Sequence, residues 1–162
     1  MSPAETPPES DRSPSTAPPT STEAPHRRGV RAIAVVLIIV GAVFAVAGVV
    51  AYVAVQHTLS DQKIVVADDA DMFAGEKVNG PFTAYAQAMV IGKHATEIGG
   101  GKTYAELPQN DPNRDTVMTA SFLQASLFTS VVAFGVSAMA TVIGIMLALT
   151  GVALRRLDPR VA

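Results

Sequence analysis

The chain has 162 residues, of which 49% are hydrophobic and 16% charged, with a net charge of −2 and no cysteine. That length accommodates one domain at most; the apolar content is too high for an ordinary soluble domain, and the charge gives no reason to expect nucleic acid. Without cysteine there is no disulfide framework, thiolate metal site or redox thiol.

Residues 1–29 read as a disordered cytoplasmic tail. Seven of the eleven prolines fall before His26, and Ser, Thr, Ala and Glu fill the gaps. Such a segment buries too little surface to offset its ordering entropy. Thr6-Pro7 and Ser13-Pro14 are candidate phosphorylation sites; the alternative is a solvated tail without a specific partner.

A first transmembrane helix is expected over 30–55. Ala32 to Val55 is a run of 24 residues without Asp, Glu, Lys, Arg or His, and about 20 apolar residues cross the hydrocarbon layer. The run is longer than the apolar region of a signal peptide, about 7–15 residues, and no small-x-small cleavage site follows. It therefore reads as a retained anchor.

Residues 56–111 form an extracytoplasmic loop. Lys63-Ile64-Val65-Val66-Ala67 reads either as a short strand or as a segment lying near the membrane surface. Asp68, Asp69 and Asp71 lack the alternating ligands and central glycine of a calcium loop and read as a solvated turn. Asn79-Gly80 marks a turn. Pro81 suits a first helical position and Gly99-Gly100-Gly101 a stop, so a helix is expected over 81–98, with Phe82, Tyr85, Ala86 and Met89 on one face. The glycines followed by Lys102-Thr103 do not make a phosphate loop, because Thr96 stands where its first glycine belongs.

Asp111-Pro112 signals a helix start, aspartate as N-cap and proline in the first turn. One long helix is expected over 112–155, including a second transmembrane segment at about 127–154. Ser121 to Leu154 is a run of 34 residues without ionisable side chains. Residues 156–162 form a second cytoplasmic tail. Arg27, Arg28 and Arg31 precede the first span and Arg155, Arg156 and Arg160 follow the second, whereas five basic side chains in the loop face nine acidic ones. Basic flanks mark the cytoplasmic side. The fold expected is thus an all-α membrane protein, a two-transmembrane-helix hairpin with an exported loop. It is multi-pass in the cell membrane with both termini cytoplasmic.

The runs Ala32–Val55 and Ser121–Leu154 hold no Asp, Glu, Lys, Arg or His, which speaks against a proton relay, ion-coupled carrier or voltage sensor. They do carry small residues in register: Ala34, Gly41, Ala45 and Gly48 in the first, Ser130, Ser137, Ala140, Gly144 and Gly151 in the second. Small residues let helix backbones approach closely in lipid. In an antiparallel pair, Gly48 is expected near Ser130 or Ser137, Gly41 opposite Ala140–Gly144 and Ala34 near Gly151, with Phe44 and Phe134 turned to lipid or to partners.

Metal-ligand candidates are few. His57 and His94 are the exported histidines, and Glu97 follows His94 at i+3, placing both on one helix face. A third ligand has to come from His57 or from the aspartate cluster. A solvated surface pair is the plainer reading.

Three segments carry a resemblance: Gly80-Pro81-Phe82-Thr83-Ala84-Tyr85-Ala86-Gln87, Gly101-Lys102-Thr103-Tyr104-Ala105-Glu106-Leu107, and the run from Ser121 to Gly135. Over about residues 30–155 the chain resembles a family of small two-span bacterial membrane proteins often labelled "aromatic ring-opening dioxygenase". The resemblance implies an oxidoreductase, and extradiol ring cleavage uses iron held by two histidines and a carboxylate in a dry pocket. Read from its residues, the chain shows no catalytic constellation and calls for no cofactor. The expected partners are the lipid bilayer and other membrane proteins or a second copy. An exported ligand- or metal-binding module is the further alternative.

Overall fold

Two long apolar runs and one short mixed one become helices, and the intervening chain is pinned to them. The computed structural model describes residues 24–157, with side chains from residue 29 on. Of the expected tails, 1–23 and 158–162 lie outside the described residues, together with both candidate phosphorylation sites, Arg160 and the side chains of Arg27 and Arg28. The helices are α1 (Ala24–Asp61), α2 (Pro81–Ile98) and α3 (Arg114–Arg156). Among the described residues there is no strand, only an isolated antiparallel bridge between Val65 and Lys77.

At about 1.5 Å per residue, α1 is about 57 Å long and α3 about 64 Å. Each contains a stretch long and apolar enough to cross a membrane. The run expected to span over 30–55 sits inside α1, which continues to Asp61. The outer faces of both helices leave large apolar side chains uncovered: Val43, Val46, Val50, Val132 and Met146 are each 61–64% exposed.

α2 occupies the residues that the Pro81 and glycine signals indicate. Thr83 Oγ1 accepts the Asn79 and Gly80 amides, both at 3.2 Å, covering two donors at the entry to the helix. At the other end Gly100 and Gly101 adopt φ of +64° and +84°. The Gly101 amide then reaches back to the Thr96 carbonyl at 2.8 Å and closes the last turn. The start of α3 differs slightly from expectation. Asp111 does not cap the helix: its Oδ1 accepts the Asn113 amide at 2.8 Å, and its carbonyl accepts the Arg114 amide at 3.1 Å. This turn delivers the chain into α3 at Arg114.

The segment 62–80 forms a strap. Val66 donates to the Glu76 carbonyl at 2.8 Å and Val78 to the Ile64 carbonyl at 2.9 Å. Val66 and Val78, each 1% exposed, are thereby turned inward together. They join Leu59, Ala84, Ala86, Ala88, Leu127 and Phe134 in the larger apolar cluster. A smaller cluster of Ala95, Leu107 and Val117 ties the distal end of α2 to the start of α3. The 62–113 region thus draws its core from both long helices, as a disulfide-free segment of this size requires.

Candidate functional site

The contact between α1 and α3 is built on missing side chains. A Cβ placed on Gly41 meets the Gly144 carbonyl and the Ala148 amide nitrogen at 2.5 Å. One on Gly48 meets the Ser137 carbonyl at 2.7 Å and the Thr141 hydroxyl, and one on Gly151 meets the Ala34 carbonyl at 2.6 Å. A Cβ on Gly144 falls against the backbone of Ala45. The pairs 34 with 151, 41 with 144, and 48 with 137 descend on one helix as they ascend on the other, so the helices run in opposite directions. Ser137 is buried and Ala140 and Ser130 are half-buried beside this seam. Ser137 and Thr141 close their hydroxyls on carbonyls one turn back, at 2.7 and 3.0 Å, and leave no unsatisfied polar group there.

Phe134 corrects the sequence reading. It does not face outward; it is 1% exposed and packs edge-on against Tyr52, ring centroids 4.8 Å apart. Its position three residues before Ser137 and seven before Thr141 places it on the same face of α3. Two aromatic rings fill the space between the helices where the small-residue seam ends. Phe44 is half-exposed.

α2 meets α3 in a similar way. Ala84, Ala88, Gly92 and Ala95 recur every three or four residues, and the three alanines are buried. The Gln124 amide of α3 donates to the Ala88 carbonyl at 3.1 Å and lies against Gly92. The expected face of Phe82, Tyr85, Ala86 and Met89 therefore divides. Ala86 is buried, while Phe82, Tyr85 and Met89 are 74%, 44% and 50% exposed. Close helix approach selects the small side chains for the interface and turns the large ones outward. Tyr85 still touches Phe128, centroids 5.9 Å apart. Tyr85, Met89 and Lys93 line a cleft of about 250 Å³ together with Asp69, Asp71 and Met72 of the strap.

The candidate ligands are held apart in separate pairs. His57 Nδ1 lies 3.1 Å from Asp61 Oδ2, one turn along α1. His94 Nε2 lies 2.7 Å from Asp69 Oδ2, so the aspartate cluster, and not Glu97, partners this histidine. Among the described residues no three His, Asp or Glu side chains converge. A two-histidine, one-carboxylate iron centre does not fit this arrangement. Both pairs are also open to solvent, with side-chain exposures of 44–78%, whereas that chemistry needs a dry pocket.

The His94 contact, followed by backbone hydrogen bonding, holds the Asp69 carboxyl below its ordinary range. Because the folded-state value is depressed, the stabilisation is present above the ordinary aspartate range and is lost as pH falls through the lowered one. Amide protection across 67–77 is therefore expected to fall as the pH drops below the ordinary aspartate range, and Asp69→Asn should remove that acid step. Identical profiles for the two proteins would refute the tether.

Several residues here carry no signal in the sequence. Arg114 donates to the Leu107 and Tyr104 carbonyls and lies 4.3 Å over the Tyr104 ring, clasping the 99–113 segment to α3. Ala67 donates to Gln87 Oε1 at 2.9 Å and fixes the strap on α2. Comparison with protein-family models, with curated proteins and with solved structures returned no match.

Proposed function

We propose that this chain is a non-catalytic membrane component. In this reading α1 and α3 cross the bilayer as a hairpin with both ends in the cytoplasm. The 62–113 cap stands outside and contacts other membrane proteins or a second copy. The observation that carries the contact reading is the exposed apolar surface on the cap around Met72 and Met89. Met72 and Met89 are 57% and 50% exposed and line one cleft with the half-exposed Tyr85. Soluble surfaces seldom leave such residues contiguous without a use for them. Arg31 at one end of the helix pair, and Arg155 and Arg156 at the same end, support the orientation.

A photoreactive side chain at Met72 or Met89 should yield a discrete adduct in intact membranes, and one at Lys102 should not. Absence of adducts from both apolar positions would overturn the contact reading. For orientation, a reporter active only in the cytoplasm should work when fused after Arg160 and be silent when inserted at Asn79-Gly80. The reverse pattern would sink the topology. The oxidoreductase alternative gains no support from the paired, solvent-open histidines.

A further inference from the structure

The cap is acidic overall, yet two of its lysines meet in a cleft near the end of α1 whose lining holds no carboxylate. Ser60 of α1 and Lys63, Val65, Lys77 and Asn79 of the strap line a cleft of about 390 Å³. The Val65–Lys77 bridge sets this arrangement. Val65 lies opposite Lys77 while Val66 and Val78 turn inward, and Lys63, in the turn that leaves α1, lines the same cleft as Lys77. Two lysines on the lining of one cleft can share one anion.

Among the described residues no carboxylate forms an ion pair with Lys63 or Lys77; Asp61 is engaged by His57, and Glu76 does not line the cleft. Lys63 also holds a left-handed backbone, φ +53°, where its amide donates to the Ser60 carbonyl at 3.0 Å. The amino-terminal end of α2, two residues past Asn79, adds partial positive charge.

The level of the cleft identifies what it meets. The uncharged run of α1 ends at Val55, and Ser60 lies five residues further, about 7–8 Å along the helix. The headgroup layer extends about 5–8 Å beyond the hydrocarbon on each side. We infer that the Lys63–Lys77 cleft binds the phosphate of an anionic phospholipid in the leaflet beneath the cap. Lysine stems reach from the strap toward that layer while their ammonium groups stay hydrated. The inference rests on the reading of α1 and α3 as membrane spans, whichever side the cap faces.

The full chain, purified in neutral detergent, can be titrated with phosphatidylglycerol and bound lipid counted by native mass spectrometry. Lys63→Gln or Lys77→Gln should each weaken binding about fivefold and the pair about thirtyfold, given about 1 kcal/mol per lysine at a charged surface. Lys63→Arg with Lys77→Arg should restore it, and Lys102→Gln should leave it unchanged. Wild-type binding by the double glutamine variant, or equal loss in Lys102→Gln, would overturn the site. Displacement of the lipid by inorganic phosphate at equal concentration would overturn the lipid as its source. Release of the wild-type chain from membranes by alkaline carbonate would instead overturn the spanning reading and this inference with it. Retention combined with unaltered variant binding removes the lipid site alone.

Discussion

Leucine in place of Gly144 is expected to lower the thermal unfolding midpoint in mild detergent markedly. A Cβ at this position meets the Gly41 carbonyl at 2.6 Å and the Ala45 Cα at 2.9 Å, as well as the Ala45 nitrogen. All are backbone atoms, so no side chain can swing aside, and the helices must separate. Overpacking of this kind costs about 1–3 kcal/mol. Association in lipid rests on packing and not on expelling water, so lost contact is not compensated elsewhere. Gly41→Leu should behave alike, since its Cβ falls equally close to Gly144 and Ala148. Gly135 supplies the control, because nothing lies within 4 Å of a Cβ there. Gly135→Leu should leave the midpoint near wild type. Equal damage from Gly135 and Gly144 variants would show that the seam does not hold the helices together.

Phe134→Ala is expected to destabilise the protein by about 3–5 kcal/mol, the range for deleting a buried phenylalanine ring. The ring is almost fully enclosed and belongs to the cluster shared by α1, α2, α3 and the strap. Its removal also strips Tyr52 of its edge-on partner, a geometry that contributes about 0.5–1.5 kcal/mol beyond area. Phe134→Leu should recover most of the loss, because volume matters more here than aromaticity. Phe122→Ala, at a side chain 67% exposed on the same helix, should cost little. Comparable midpoints for Phe134→Ala and Phe122→Ala would refute the enclosed position of Phe134.

The helical elements were legible because their signals are local. Charge-free runs, Pro81 at a helix start and three successive glycines at a helix end act through neighbouring residues alone. The interior of the cap was not legible, because its contacts join residues far apart in sequence. Asp69 and His94 are 25 residues apart, and Gln124 and Ala88 are 36 apart. No spacing rule connects them. The apolar residues of α2 misled for a different reason. Phe82, Tyr85 and Met89 form the more conspicuous pattern, yet the interface took Ala84, Ala88, Gly92 and Ala95 because the Gln124 contact demands close approach. Phe134 misled likewise: size suggested an outward ring, whereas position on the face of Ser137 and Thr141 decided its place.

The cap draws its core from both long helices, and this imposes an order in time. Synthesis proceeds from α1 through the strap and α2 before reaching α3, yet Val117, Leu127 and Phe134 of α3 complete both apolar clusters. Until α3 emerges, Val66, Val78, Ala88 and Ala95 have only part of their packing, and Ala88 lacks its bond from Gln124. The cap is therefore the last part to become native although it is made in the middle. A chain interrupted before residue 117 carries an exposed, protease-sensitive segment, and the docking of α3 is the event that seals it.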